Sequence, residues 1–192
     1  MAQNSMEILH VGVNENCDFK GRYIYLDNDF LSVLYKNEDI FVSIIRLFSE
    51  SFLFVDPLTK FEFLRGIYVP REKDLMEEFI DGFEIATNHN DIFQNLQKNA
   101  LDLSLIYSHK GRTQGVSTVD LLLAGRIMHN NQTNPLLITG NRKDFPSFIF
   151  DTKTILNIES TKTDEVRAFS VIEFNKNKFD ECKKDLEKVS KR

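Results

Sequence analysis

The amino-acid sequence predicts an α/β fold with a largely parallel central sheet. Two observations carry this prediction. Short β-prone runs alternate with helical patterns along the chain, and two of these runs end abruptly in residues typical of turns and helix starts. The run at 22–26 leads directly into Asp27, Asn28 and Asp29, and the run at 135–139 leads into a turn at 140–144.

The first half of the chain is predicted to begin with the strand at 22–26, followed by helices and a second strand. Apolar residues at helical spacing define these helices, and Pro57 suits the first turn of one of them. The two longest helices are predicted to form a helical hairpin. In chain order, the predicted elements are helices at 30–35 and 40–48, a strand at 51–55, and helices at 57–66, 72–86 and 91–107.

The second half is predicted to start with a polar, glycine-punctuated loop at 110–115. Ser117 or Thr118 can cap the helix that follows, which runs to about residue 128. The remaining predicted elements are a buried strand at 135–139, strands at 148–150 and 167–174, and a charged amphipathic helix at 177–191.

The composition is that of an ordinary globular protein, with 42% hydrophobic and 28% charged residues in a chain of 192. The excess of 29 acidic over 24 basic residues argues against a protein that binds nucleic acid through a general basic field. Cys17 and Cys182 have no neighbours at zinc-site spacing, so we expect a reducing cytoplasm. We expect no signal peptide and no membrane segment, because the longest apolar region, at 40–55, is repeatedly interrupted by polar residues.

Four carboxylates stand at positions that favour a shared metal site: Asp27, Glu62, Asp120 and Asp144. In parallel sheets, ligands bind beyond the carboxyl ends of the strands. Asp27 directly follows the first strand, and Asp144 lies five residues after Thr139. Asp120 shares the apolar face of its helix, where an ionised carboxylate needs a metal or a salt bridge as partner.

Each carboxylate also has a plainer interpretation. Asp27 is typical of a turn, Asp29 of a helix N-cap, and Glu62 of the solvated edge of a helix. Asp144 could serve the local hydrogen bonding of its turn, and Asp120 a structural ion pair. The metal-site hypothesis therefore depends on the set rather than on any one member.

The chemistry of phosphodiester hydrolysis fits such a set. The reaction requires stabilisation of negative charge on the phosphate and activation of a water, which two divalent ions about 3.5–4 Å apart can supply. Oxygen ligands favour Mg²⁺ or Mn²⁺.

The sequence resembles the PIN-domain ribonucleases, in particular the VapC-like toxins of type II toxin–antitoxin systems. The matching segments are YLDNDFLS around Asp27, FEFLRG around Glu62, STVDLLLAG around Asp120 and LLITGNRKDFP around Asp144. The resemblance implies a three-layer α/β/α PIN-like fold with a mainly parallel central sheet, to which this chain adds a C-terminal strand–helix extension. We expect an N-terminal lead at 1–22, a PIN-like nuclease domain at 23–157, and an extension at 158–192 packed on the same domain. The lead and the extension are departures from the minimal toxins of this family.

The resemblance also implies an activity, namely Mg²⁺- or Mn²⁺-dependent cleavage of RNA that leaves a 5′-phosphate and a 3′-hydroxyl. Asp27, Glu62, Asp120 and Asp144 would then be the catalytic and metal-binding acids, with Thr139 and Asn141 as supporting residues. Asp29 stands where the family usually has Asn or Ser, so it either alters metal positioning or caps the helix. Homodimerisation and, for a toxin, a small antitoxin partner are implied as well.

Other functions stay open at this point. The chain could be a housekeeping RNA-processing nuclease, or a catalytically idle PIN-like module that binds RNA or protein. It could also be an interaction module whose acids pair with Arg65, Arg126 and Arg142.

Basic residues near the acids are candidates for phosphate contacts, although loop solubility explains them equally well. They are Lys110, Arg112, Arg142 and Lys143. The lysine-rich helix at 177–191 could bind RNA, but a solvated helix that covers the sheet is the favoured interpretation.

Overall fold

A mixed β-sheet forms the centre of the protein. The computed structural model describes residues 11–12, 18–65, 67, 69–87, 89–112, 115–129, 133–159 and 166–190. In these residues the sheet has seven strands in the order β1-β6-β7-β5-β2-β3-β4. The strands are β1 (Val11–Gly12), β2 (Tyr23–Leu26), β3 (Phe52–Val55), β4 (Glu84–Ile85), β5 (Leu136–Thr139), β6 (Phe150–Glu159) and β7 (Val166–Phe174).

Helices connect the strands and cover both faces of the sheet. A short 3₁₀ turn at Arg142–Asp144 follows β5. The helices are α1 (Asn28–Lys36), α2 (Glu38–Leu47), α3 (Pro57–Leu64), α4 (Pro70–Ile80), α5 (Asn90–His109), α6 (Thr118–His129) and α7 (Lys176–Ser190). In the described ranges, no helix is both long and apolar enough to cross a membrane.

The central strands are parallel. Strand β2 lies between β3 and β5 and is parallel to both, and β4 is parallel to β3. The other side of the sheet is antiparallel, since β7 pairs with β5 and β6, and β1 pairs with β6. The parallel part places the carboxyl ends of β2, β3 and β5 at one edge of the sheet.

Two clusters of buried side chains lie on opposite faces of the sheet. Successive residues of a strand point to opposite faces, so Ile24 and Leu26 join one cluster and Tyr25 joins the other. Helices α1 to α4 pack on the first face, and α5, α6 and α7 pack on the second. The predicted three-layer α/β/α arrangement with parallel central strands is confirmed.

The predicted helical hairpin at 72–107 is wrong. Helix α4 ends at Ile80, and the chain then enters the sheet as β4. Because β4 is the edge strand, the chain passes there from one face to the other: Met76 of α4 belongs to the first cluster and Leu103 of α5 to the second. Helix α5 packs against α6 instead.

The short strand predicted at 148–150 is placed too early, because residues 148 and 149 lie in a turn and the ten-residue strand β6 begins at Phe150. Its first half is mainly polar and contains an irregularity between Thr152 and Thr154, which hides the two-residue alternation in the sequence. The predicted domain boundary after residue 157 falls inside β6, and the division of the chain there stays a prediction. Most of the predicted lead at 1–22 lies outside the described residues.

Helix α7 covers the second face of the sheet, as the solvated-helix interpretation predicted. Phe179 and Cys182 are buried in the second cluster. Two of its lysines form ion pairs with acids outside the helix: Lys178 with Asp151 at 2.6 Å and Lys183 with Asp102 at 2.8 Å. Residues 191 and 192 lie outside the described ranges.

Helices α5 and α6 approach each other closely at Gly125. A Cβ atom at this position would lie 2.7 Å from the Leu96 carbonyl oxygen and 3.4 Å from the Asn99 Cβ. The Asn99 amide also donates a hydrogen bond to the Gly125 carbonyl at 3.1 Å. Since the nearest atom belongs to the backbone, a side chain would force the helices apart.

We expect Gly125→Ala to destabilise the protein by about 1–3 kcal/mol, the usual cost of overpacking. In an open helix the same change would stabilise by about 1 kcal/mol, so the sign of the effect tests the contact. Urea denaturation measures it, with Gln97→Ala, at an exposed position of α5, as the control. A Gly125→Ala variant as stable as the wild type would contradict the close approach.

Candidate metal centre at the carboxyl edge of the sheet

A hydrogen bond between neighbouring parallel strands forms the centre of the site. Asp27 directly follows β2, and Thr139 is the last residue of β5. The Thr139 hydroxyl donates to Asp27 Oδ2 at 2.6 Å and accepts from the Asn141 backbone N–H at 2.9 Å. Thr139 is fully buried and Asp27 is 5% exposed. This hydroxyl therefore links the carboxylate to the loop after β5.

Burial makes the charged form of Asp27 costly. Asp27 is the N-cap of α1, and its Oδ1 accepts a hydrogen bond from the Asn28 N–H at 2.7 Å. Burial, together with the charges of Asp29 and Asp120, raises the pKa of Asp27 to about 7, although the Thr139 and Asn28 hydrogen bonds oppose the shift. The side chain thus exchanges its proton near neutral pH.

Asp29 lies in the first turn of α1, so the alternative that it is the N-cap is wrong. Its Oδ2 accepts a hydrogen bond from the Gly140 N–H at 2.8 Å. A Cβ at Gly140 would approach that oxygen to 2.5 Å, so only glycine permits this contact. The other oxygen, Oδ1, is buried and has no hydrogen-bond partner among the described residues. Burial, and to a lesser extent the charge of Asp120, raises the pKa of Asp29.

Asp120 is held by a capping box at the start of α6. The Asp120 N–H donates to the Ser117 hydroxyl at 3.1 Å, and that hydroxyl donates to Asp120 Oδ2 at 2.6 Å. The side chain is half-buried, whereas the sequence pattern predicted a position on a buried face. Burial and the charge of Asp144 raise its pKa, while Ser117 and Lys143 lower it. Asp120 therefore has a structural role as well as a place near the other acids.

Asp144 is positioned from two sides. The Asn141 side-chain amide donates to Asp144 Oδ2, and the Tyr107 hydroxyl donates to the Asp144 backbone carbonyl at 3.1 Å. Asp144 is buried, at 7% exposure. Burial raises the pKa of Tyr107, so its hydroxyl stays protonated as a donor. Tyr107 was not predicted from the sequence, where it resembled any other core residue of α5.

Glu62 lies on α3, which contacts α6, the helix that carries Asp120. It is half-buried, and burial together with the charge of Asp120 raises its pKa, while Arg65 lowers it. Asp120 thus interacts electrostatically with Asp27, Asp29 and Glu62. All four predicted acids, and Asp29, belong to one electrostatic group.

The donor set fits a hard divalent cation, although the side chains do not converge on one point. Within the described residues, no three Asp, Glu, His or Cys side chains are grouped so that they could hold an ion together. Mg²⁺ does not require such a cage, because it keeps several waters and commonly uses one or two carboxylates. The unpartnered Asp29 Oδ1, beside acids with raised pKa values, is an oxygen that a cation would satisfy.

The basic residues near the acids differ in their availability. The Arg112 guanidinium donates to the Lys143 carbonyl, and Arg142 donates to the Phe150 carbonyl at 2.7 Å. Lys110 lies 3.6 Å from Asp185 of α7. Lys143 is exposed, and its charge lowers the pKa of Asp120. Lys143 is therefore the best placed of the four to contact a phosphate.

A further carboxylate at this edge was missed by sequence reasoning. Asp56 directly follows β3, yet it forms a buried ion pair with Arg126 of α6, with Oδ2 and Nε 2.9 Å apart. Arg126 thus pairs with an acid outside the predicted set. A strand-end Asp followed by Pro57 was a usable signal, but its partner lies 70 residues away.

Comparison with known proteins supports the fold. No protein-family model and no curated protein matches the sequence. A chain of the crystal structure of DNA-bound VapBC from Salmonella typhimurium superposes with a TM-score of 0.51 at 17% sequence identity. The match covers 65% of this chain and 90% of that chain. At this identity the likeness shows the fold, which is that of the PIN-like α/β/α class.

Asp27 should make the stability of the metal-free protein depend on pH. Its folded-state pKa of about 7 exceeds the ordinary value of 3.8, so folding favours the protonated form. The protonated Asp27 therefore contributes to the free energy of unfolding below about pH 4, and this contribution is lost as the pH rises through about 7. Its upper bound is about 4 kcal/mol. Asn cannot ionise, so we expect Asp27→Asn to stabilise the protein, relative to the wild type, more at pH 8 than at pH 5.

Urea denaturation in EDTA at both pH values measures this difference. Asp74→Asn, at an exposed position of α4, is the control, and its effect should not change with pH. If the stabilisation by Asp27→Asn is constant or falls with rising pH, the pKa of Asp27 is not raised in the folded protein.

Proposed function

We propose that this protein is a metal-dependent endoribonuclease that acts as the toxin of a toxin–antitoxin pair. The observation that carries the proposal is the group of acids at the carboxyl edge of the parallel strands. Four of its members have pKa values raised mainly by burial: Asp27, Asp29, Glu62 and Asp120. Asp29 also has an oxygen without a partner among the described residues. A PIN-like fold and the sequence resemblance to PIN-domain ribonucleases support the same function.

Asp27, Asp29, Asp120 and Asp144 would hold Mg²⁺ or Mn²⁺, with Glu62 at the periphery of the site. When bound, a divalent ion supplies positive charge that stabilises the phosphate and lowers the pKa of a water. Such an ion would also offset the mutual repulsion of the acids, which otherwise favours their protonated forms.

Other side chains prepare the acids for this role. The Thr139 hydroxyl fixes one oxygen of Asp27, and the Asn141 amide fixes one oxygen of Asp144. The Thr139 hydrogen bond favours the ionised form of Asp27. The exposed Lys143 is suited to contact the RNA backbone beside Asp120.

We expect purified protein to cleave labelled RNA in Mn²⁺ or Mg²⁺ and to lose this activity in EDTA. Asp27→Asn and Asp120→Asn should each lower the cleavage rate by about a hundredfold or more, because each removes charge that the site needs. Gel analysis of the products measures the rate, and chemistry at the new ends should show a 5′-phosphate and a 3′-hydroxyl.

Asp74→Asn is the matched control for these variants, since it removes one carboxylate from the exposed surface of α4. It should cleave at the wild-type rate. Cleavage that persists in EDTA, or in both active-site variants, would rule out the proposed site.

Toxin and housekeeping nuclease differ in their effect on a cell. For a toxin, we expect expression in a bacterial host to arrest growth, Asp27→Asn to relieve the arrest, and a small co-encoded protein to suppress it. Growth curves and plating efficiency measure this, with Asp74→Asn as the variant that should remain toxic. RNA cleavage in vitro without growth arrest would favour the housekeeping nuclease.

The family resemblance also supports a homodimer and a cytoplasmic location as parts of this proposal. A catalytically idle PIN-like module is the alternative from another class. It predicts no metal-dependent cleavage of any RNA.

A further inference from the structure

A buried ion pair links the two helices that carry Glu62 and Asp120. Arg126 is the largest fully buried side chain among the described residues, and it lies 2.9 Å from Asp56, which is 3% exposed. The second oxygen of Asp56 accepts the Leu58 N–H at 2.9 Å and thereby caps α3. Arg126 also donates to the Thr87 carbonyl, just after β4, at 3.0 Å. One guanidinium therefore joins α6 to the N-cap residue of α3 and to Thr87, which follows β4.

The pair lies at the opposite end of these helices from the acids. Asp56 precedes Glu62 by six residues, and Asp120 precedes Arg126 by six residues. Six residues of α-helix span about 9 Å. Helices α3 and α6 contact each other, and Glu62 and Asp120 interact electrostatically. These two interactions indicate that the helices run antiparallel, with the ion pair at one end and the two carboxylates toward the other.

Stability alone does not account for this pair. Removing two charges from water costs several kcal/mol each, and buried ion pairs can often be replaced by apolar residues without loss of stability. A fork of hydrogen bonds with fixed directions does, however, determine where two helices lie relative to each other. The burial of the pair therefore favours a role in orientation.

We propose that the Asp56–Arg126 pair positions Glu62 and Asp120 for binding a divalent cation. Both are positioning residues, since they act through α3 and α6 and belong to no part of the carboxylate group. This inference rests on the proposed metal-dependent function. It adds that cation affinity depends on a contact outside the metal-binding acids.

The test measures Mn²⁺ binding by isothermal titration calorimetry and, separately, thermal unfolding in EDTA. The main variant combines Asp56→Asn with Arg126→Gln, which removes both charges and keeps groups able to cap α3 and to hydrogen-bond. We expect this variant to fold and to bind Mn²⁺ about tenfold more weakly, the usual effect of removing a supporting contact at a metal site. The control removes the exposed Lys73–Glu77 pair of α4, whose atoms lie 3.2 Å apart, and should change neither property.

A second set of variants applies even if the double variant does not fold. Arg126→Lys keeps the charge but loses the fork that joins Asp56 to the Thr87 carbonyl. If the pair positions Glu62, then Glu62→Gln should weaken Mn²⁺ binding less in the Arg126→Lys background than in the wild type. A purely structural pair would leave the effect of Glu62→Gln the same in both backgrounds.

The outcomes separate the two proposals. Wild-type protein that binds no Mn²⁺ would overturn the proposed function and this inference together. Wild-type binding, with a folded double variant of equal affinity or an unchanged Glu62→Gln effect, would overturn only the positioning role.

Discussion

The contact on which the site depends is the hydrogen bond from Thr139 to Asp27 across two parallel strands. It exists because β2 and β5 are neighbours that end at the same edge, so the residue after one strand faces the last residue of the other. The Thr139 hydroxyl also accepts the Asn141 backbone N–H, and the Asn141 side chain in turn donates to the Asp144 carboxylate. The sheet order therefore determines the site, and the helices adjust the remaining acids around it.

Local patterns in the sequence were sufficient for the central strands and for the acids at their ends. Strands β2 and β5 are short apolar runs bounded by turn residues, and the rule for parallel sheets places Asp27 and Asp144 at one edge. The polar half of β6 and the two-residue strand β4 lack such a pattern, because polar residues and an irregularity interrupt the alternation in β6 and β4 is too short to show one. Partnerships between remote residues, such as Asp56 with Arg126, were equally invisible in a single sequence.

The acids at the edge are not equivalent. Among the acids of the proposed site, burial is deepest for Asp27 and Asp144, while Asp120, the most telling acid in the sequence, is half-buried and shares a capping box with Ser117. Its importance lies instead in its position, since its charge raises the pKa of Asp27, Asp29 and Glu62. Asp56 stands at the same edge of the sheet but is neutralised by Arg126. The protein thus keeps one strand-end carboxylate for structure and leaves the others repelling one another.

The separation of Asp27 from Thr139 along the chain, 112 residues, has a consequence for synthesis. Contacts between residues so far apart form late in folding, because the entropy cost of closing a long loop comes before the stabilisation that the contact provides. A ribosome-bound chain that stops short of Thr139 contains Asp27 and Glu62 but lacks the complete strand β5, which supplies the Thr139 hydroxyl. The site therefore cannot exist before most of the protein has been made, so an unfinished chain carries no assembled centre beside the RNA that encodes it.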